Sequence, residues 1–252
     1  MLLGSSCALL LQLAHPLVAA GVADHSDFRL HPLRRFRRTY DLLFSGLVFG
    51  DRQQATAAAR RITLAHERVR GFLREGVGAH PAGTAYDAND LPLLIWVHTT
   101  LVYTGIVTYE AFIGRLGDRE RDGFFEDTKR FGELLGIPKE KFARNWIELQ
   151  EDMARAIEEG DVCVGANALR LSTSVFRPHA LARGPIVHPL RVITAGLLPE
   201  RLRAQYQLPW GSFERANFGL YRALHRSILG RFPRWLRTLP PARAAERRLL
   251  RD

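Results

Sequence analysis

The chain has 252 residues, 46% of them hydrophobic, a formal net charge of +10 and only two cysteines, Cys7 and Cys163. That length and apolar content suffice for one sizeable buried core, and two distant cysteines without CxxC or zinc-type spacing exclude a disulfide framework and a structural zinc site and point to a reducing, cytoplasmic setting. No low-complexity linker or fixed-period repeat divides the sequence, so a single domain over 1–252 is expected.

The first predicted element is an apolar helix over 5–22. It is too short and too polar in its centre, at Gln12, His15 and Pro16, to span a bilayer of about 30 Å, and Met1 is followed at once by Leu2 and Leu3 without the cationic start of a signal peptide. It therefore reads as a core helix. His15 reads first as a polar residue packed between helices and second as a pocket group. The segment ends in a polar turn, where Asp24, the first carboxylate of the chain, precedes His25 and Ser26.

Further helices are predicted over 32–47, 51–76, 91–115, 118–135, 138–159, 164–176, 187–196, 199–207, 212–232 and 242–250. Pro32, Pro138 and Pro233 suit first helical turns, while Gly50, Gly160 and Gly230 suit helix ends. No segment offers the sustained alternation of a strand. An all-α fold with a multi-helix core follows.

Two of these helices carry a histidine inside an apolar seam. In 51–76 the inward positions are Ala55, Ala59, Ile62, His66, Val69 and Leu73; in 91–115 they are Leu91, Leu94, His98, Leu101, Gly105 and Thr108. One such histidine is usually a neutral core residue bonded to a backbone carbonyl. Two, beside the small residues Ala55, Ala59 and Gly105, suggest room between helices for a planar cofactor such as haem, which needs an axial imidazole, apolar walls and cations for its propionates. Cations stand in "HPLRRFRRTYDLLF", His31 to Phe44. Arg35 and Thr39, four apart, share an inward face with Leu42 and Gly46, whereas Arg34 and Arg37 read as solvated.

The charge is uneven. Residues 183–252 hold 14 Arg and no Lys against the four acids Glu200, Glu214, Glu246 and Asp252, a surplus of ten that equals the whole net charge. A solvated arginine-rich surface is the first reading of this region. Leu, Trp and Phe interleave with arginine in "LHRSILGRFPRWLRTLP", which makes peripheral membrane contact the second reading and nucleic acid the third.

Four stretches together, "LLLQLAHPLVAAGVADHSDFRLHPLRRFRRTYDLLFSGLVFG", "ARRITLAHERVRG", "YDANDLPLLIWVHTTLVYT" and "GLLPERLRAQYQLPW", resemble the oxygenase family that groups fungal MpaB-type oxygenases with bacterial latex-clearing (rubber oxygenase) proteins, and most closely its uncharacterised bacterial members. The resemblance implies an all-α haem b protein that uses dioxygen on a small lipophilic, isoprenoid-type substrate. It implies that His66 is the proximal iron ligand, that Arg35 and Thr39 line the haem and oxygen side, that Arg38 lies at the cofactor, and that His98 is a further pocket histidine. Two departures stand out. Arg38 occupies the place of a lysine in rubber-cleaving members, and no glutamate precedes Glu67, which leaves Asp24 as the carboxylate that could replace a missing base.

A non-catalytic haem- or lipid-binding helical protein is the alternative. A basic nucleic-acid binder is disfavoured, because the charge lies away from any helix-turn-helix and no aromatic RNA platform occurs. A carboxylate-bridged di-iron protein would need two Glu-x-x-His motifs, which the sequence lacks.

Overall fold

A computed structural model describes residues 2–26, 37, 39–176, 187–229, 231–233 and 238–250. The fold is all-α, apart from one two-stranded hairpin. The predicted first helix is in fact two, α1 (Ser5–Ala14) and α2 (Pro16–His25), bent by 104°. Pro16 has no N–H to continue the ladder, so the chain breaks there and starts again with proline at the first helical position. His15 has extended backbone geometry, and its Nδ1 accepts from Leu17 N at 3.3 Å. It is a buried N-cap.

α1 lies at the centre of the molecule. Cys7, Leu10, Leu11, Leu13 and Ala14 are fully buried, packed against α4 (Leu91–Phe112), α7 (Ala166–Phe176) and α8 (Val187–Leu197). Burial pushes the Cys7 thiol up to about 12, so it packs as an inert apolar group. Tyr206, at the end of α9 (Glu200–Gln205), donates its hydroxyl to Leu10 O at 2.7 Å, and Trp96 Nε1 donates to Leu11 O at 3.1 Å. The second bond serves a carbonyl that the turn before Pro16 leaves open, because His15 N donates to Gln12 O and not to Leu11 O.

Among the described residues, α4 is the one helix long and apolar enough to cross a membrane, and the bent α1–α2 pair passes the same test as a broken span. In this fold both are built into the core. α4 contacts α1, α8, α5 (Asp118–Leu134), α6 (Trp146–Glu159) and α10 (Ser212–Leu229), and it buries residues on several sides, from Leu93 and Trp96 to Ile106 and Phe112. Its periodicity suggested one inward seam, yet Leu91, Leu94, Leu101 and Gly105 are only half-buried while Val102, Thr104 and Ile106 are buried. A helix surrounded by neighbours has no single inner face.

A π-helix runs from Asp41 to Val48 and packs along α3 (Arg52–His66). α3 was expected to reach residue 76 but stops at His66. Strand β1 (Arg70–Phe72) pairs antiparallel with β2 (Ala85–Asp87), Gly71 opposite Tyr86. Three-residue strands separated by a long glycine-rich loop carry no period for a sequence reading to detect. The loop turns at Gly78, whose φ of +60° suits glycine and where a Cβ would collide with Gly160 O. Ala79 N donates to that same carbonyl at 3.0 Å, docking the hairpin tip on the end of α6. α6 also starts later than expected, at Trp146, because Asn145 caps it by accepting from Glu148 N at 2.9 Å. α11 (Pro240–Leu249) returns against the π-helix, with Arg248 donating to Phe49 O.

Candidate functional site

His66 is the last residue of α3, and its setting follows from a hairpin of helices. Asp51 starts α3 with a capping box, accepting from Gln54 N at 2.8 Å while Gln54 Oε1 accepts from Asp51 N at 3.0 Å. The turn over 49–51 reverses the chain, so the π-helix lies antiparallel to α3. Gly46 meets Ala58 so closely that a Cβ at 46 would stand 2.7 Å from the Ala58 methyl. Leu43 and Ile62 pack on the same Leu47, Ala58 and Ala59 cluster. The two arms of this hairpin carry Thr39 near the start of one and His66 at the end of the other. Thr39 is helical and exposed, and His66 is half-buried.

Val69 and Leu73 lie beyond α3, but its predicted seam is present up to His66: Ala55 and Ala59 are buried, and Ile62 and His66 are half-buried. The room expected beside its small residues is not. Ala55, Ala58 and Ala59 are small because the π-helix lies hard against them, and Gly105 of α4 faces Phe124, whose ring would lie 3.0 Å from an added Cβ. Small residues here serve close helix packing.

His98 does not converge with His66. Its ring sits among Phe131 and Phe142, both at 5.0 Å, and Phe125 at 6.4 Å, and its Nε2 donates to Thr128 O at 3.1 Å. Phe131 also packs on the α3 and π-helix cluster, and so stands between His98 and α3. Burial, with the charge of Lys129, depresses the imidazole to about 4 against the opposing effect of the Thr128 bond. This is a neutral core histidine with its one donor satisfied.

Asp24 is also engaged on both oxygens. Arg74 Nη2 donates to Oδ1 at 3.0 Å and the Tyr86 hydroxyl donates to Oδ2 at 2.9 Å, while His25 Nε2 donates to Arg70 O at 3.0 Å. Burial, then the bond and charge of Asp24, push the Tyr86 phenol up to about 12, which keeps it a donor. Together these bonds fasten the last turn of α2 to both strands. Arg35 and Arg38 lie outside the described residues; Arg37 is exposed.

Sequence reasoning did not single out His80. Its ring lies 5.3 Å from that of His15, and its Nε2 donates to Asp161 O at 3.1 Å. Burial and the nearby His80 depress His15 to about 4. The His15-Pro16 pair was the available signal, since a capping side chain before a first-turn proline marks a helix start.

The donor set can be tested against the implied cofactor. Among the described residues no three His, Cys, Asp or Glu side chains converge as direct chelation of an ion requires. A haem brings four nitrogen ligands of its own and asks the protein for one axial donor. A single half-buried imidazole at a helix end fits that requirement.

The profile of the family described as ER-bound oxygenase mpaB/B'/Rubber oxygenase, catalytic domain, matches residues 1–228. Uncharacterized proteins of Mycobacterium bovis and of Mycobacterium tuberculosis are each 25% identical to the chain over 217 residues, which is 83% of this chain and 81% of each relative. No solved structure matches the chain.

Proposed function

The chain belongs to the mpaB/rubber oxygenase catalytic-domain family, and from this premise we propose that it is a haem b-dependent oxygenase acting with dioxygen on a lipophilic, isoprenoid-type substrate. The observation that carries the reading is the half-buried His66 at the end of α3, in the helical hairpin whose other arm carries Thr39. His66 would hold the iron through one ring nitrogen, and Arg35 and Arg38 would face the propionates. When bound, the haem supplies the redox chemistry toward dioxygen. Thr39 would offer a hydroxyl, and Arg35 a positive charge, to the negative charge that develops on the oxygen side.

The capping box and the close Gly46–Ala58 contact hold together the two arms of the hairpin that carry Thr39 and His66, and pre-organisation of this kind is what such a site needs. The π-helix is in keeping with this role, because irregular helical turns of that kind are frequent at functional sites. We assign His98 to core packing and Asp24 to tethering α2. Both oxygens of that carboxylate already accept hydrogen bonds, from Arg74 and from Tyr86.

The engaged state of Asp24 also supports a second reading, a helical haem- or lipid-binding protein without catalysis. The absorption spectrum of purified protein, wild type against His66→Ala, tests the first. A Soret band present in the wild type and lost in the variant supports the assignment; a wild type that stays colourless after incubation with hemin refutes it. Turnover of prenyl-chain substrates by the reduced protein in air then separates oxygenase from binder.

A further inference from the structure

Helix α10 is amphipathic on two sides. Its inner face packs on the core through Phe218 and Tyr221 and is pinned to the end of α4: Arg222 Nε donates to Ala111 O at 3.2 Å, and Arg226 Nη2 to Glu110 O at 2.6 Å. Its outer face is apolar as well. Phe213, Leu220, Leu224 and Ile228 are 64%, 59%, 51% and 37% exposed, and their spacings of seven, four and four place them on one stripe, about 22 Å long at 1.5 Å per residue. Phe232, just past the helix end, is 46% exposed. A row of large apolar side chains held in water on a well-anchored helix costs free energy unless something covers it.

We propose that this stripe is a docking surface for an anionic lipid bilayer, with α10 lying in the plane of the membrane interface and its four large apolar residues inserted among the acyl chains. Charge decides between a bilayer and a second copy of the chain. The region 183–252 carries a surplus of ten positive charges, and Arg231 is exposed just past the end of the stripe. Two copies brought together there would set these surpluses against each other, whereas a negatively charged surface attracts them. Arginine beside an apolar stripe suits an interfacial helix, because its stem lies along the acyl boundary while the guanidinium reaches the headgroups. The proposal does not rest on the haem reading, since the stripe faces solvent from α10 whatever His66 binds.

Co-sedimentation of the full chain with phosphatidylcholine vesicles, with and without phosphatidylglycerol, tests it. The wild type is expected to sediment with the anionic vesicles, less so as salt rises, and to stay in solution with the zwitterionic ones. Leu220→Glu/Leu224→Glu, whose far-ultraviolet circular dichroism should match the wild type, is expected to bind about tenfold more weakly or worse. Arg231→Gln, which leaves the apolar stripe intact, is expected to lose about fivefold on anionic vesicles. A wild type that ignores anionic vesicles, or a leucine variant that binds them as well as the wild type, overturns the proposal. So does a wild-type dimer that the leucine substitutions convert to monomer while neither form binds lipid.

Discussion

Gly46 and Ala58 face each other across the helical hairpin at a distance that leaves no space for a single methyl group, since a Cβ on Gly46 would lie 2.7 Å from that of Ala58. The contact sets how closely the π-helix and α3 approach. Gly46→Ala should therefore push the two elements apart and cost about 1–3 kcal/mol. Adding Ala58→Gly should return part of that loss, because it removes the opposing methyl. Urea denaturation of the two single variants and the double variant measures the coupling; additive effects would show that the contact is not the constraint.

His98 and His15 are both neutral in the fold, each depressed from 6.5 to about 4 mainly by burial. The unfolded chain takes up protons that the folded one refuses, so stability is fully present above pH 6.5 and falls as the pH drops from about 6.5 toward 4. Each histidine contributes at most about 1.4 kcal/mol per pH unit in that window. Denaturation midpoints measured from pH 7.5 to 4.5 should show this slope, and His98→Phe should flatten it. An unchanged slope in the variant would remove His98 from the account.

His15 also caps α2, and its ring packs near Trp96, with centroids 6.4 Å apart. His15→Ala should destabilise by about 2 kcal/mol, from the lost cap and the space left behind. His15→Asn keeps a capping oxygen and should recover about 1 kcal/mol of this, read as a rise in melting temperature over the alanine variant.

Tyr86→Phe and Asp24→Asn both weaken the tie between α2 and the hairpin, and each should cost about 1 kcal/mol. Since the Arg74 side chain is 83% exposed, its ion pair adds little, and Arg74→Ala should change stability by less than about 0.5 kcal/mol. Neither Asp24→Asn nor Tyr86→Phe should alter haem content or turnover per haem. Loss of turnover in Asp24→Asn with the haem retained would restore this carboxylate to the chemistry.

The helices were legible where sequence period and packing have one cause. The seam from Ala55 to His66 can be read from residue spacing, because α3 has one inner face and one solvated face. The central helix α4 defeated the same reading, since neighbours on several sides remove the polar face that makes a period visible. The break at His15-Pro16 was legible as chemistry, a proline that cannot donate and a side chain that can cap, yet the apolar character on both sides hid it. The β hairpin left no trace, because its strands are three residues long and its register is held by Gly71 against Tyr86 and by the docking of Gly78 and Ala79 on Gly160.

By itself the sequence determined the all-α class, the basic C-terminal region and the helical seam that ends in His66, because composition and local spacing are properties of the chain alone. Only the tertiary structure decided what the other polar residues do. It gave His98 a phenylalanine cage and a helix carbonyl, gave Asp24 a phenol and a guanidinium, and turned the small residues of α3 from cofactor space into a helix contact. The roles of these two polar residues depend on partners far along the chain, Thr128 at 30 positions from His98 and Tyr86 at 62 from Asp24. No local pattern carries that information, because a buried polar group takes its role from whichever donor or acceptor the fold brings to it.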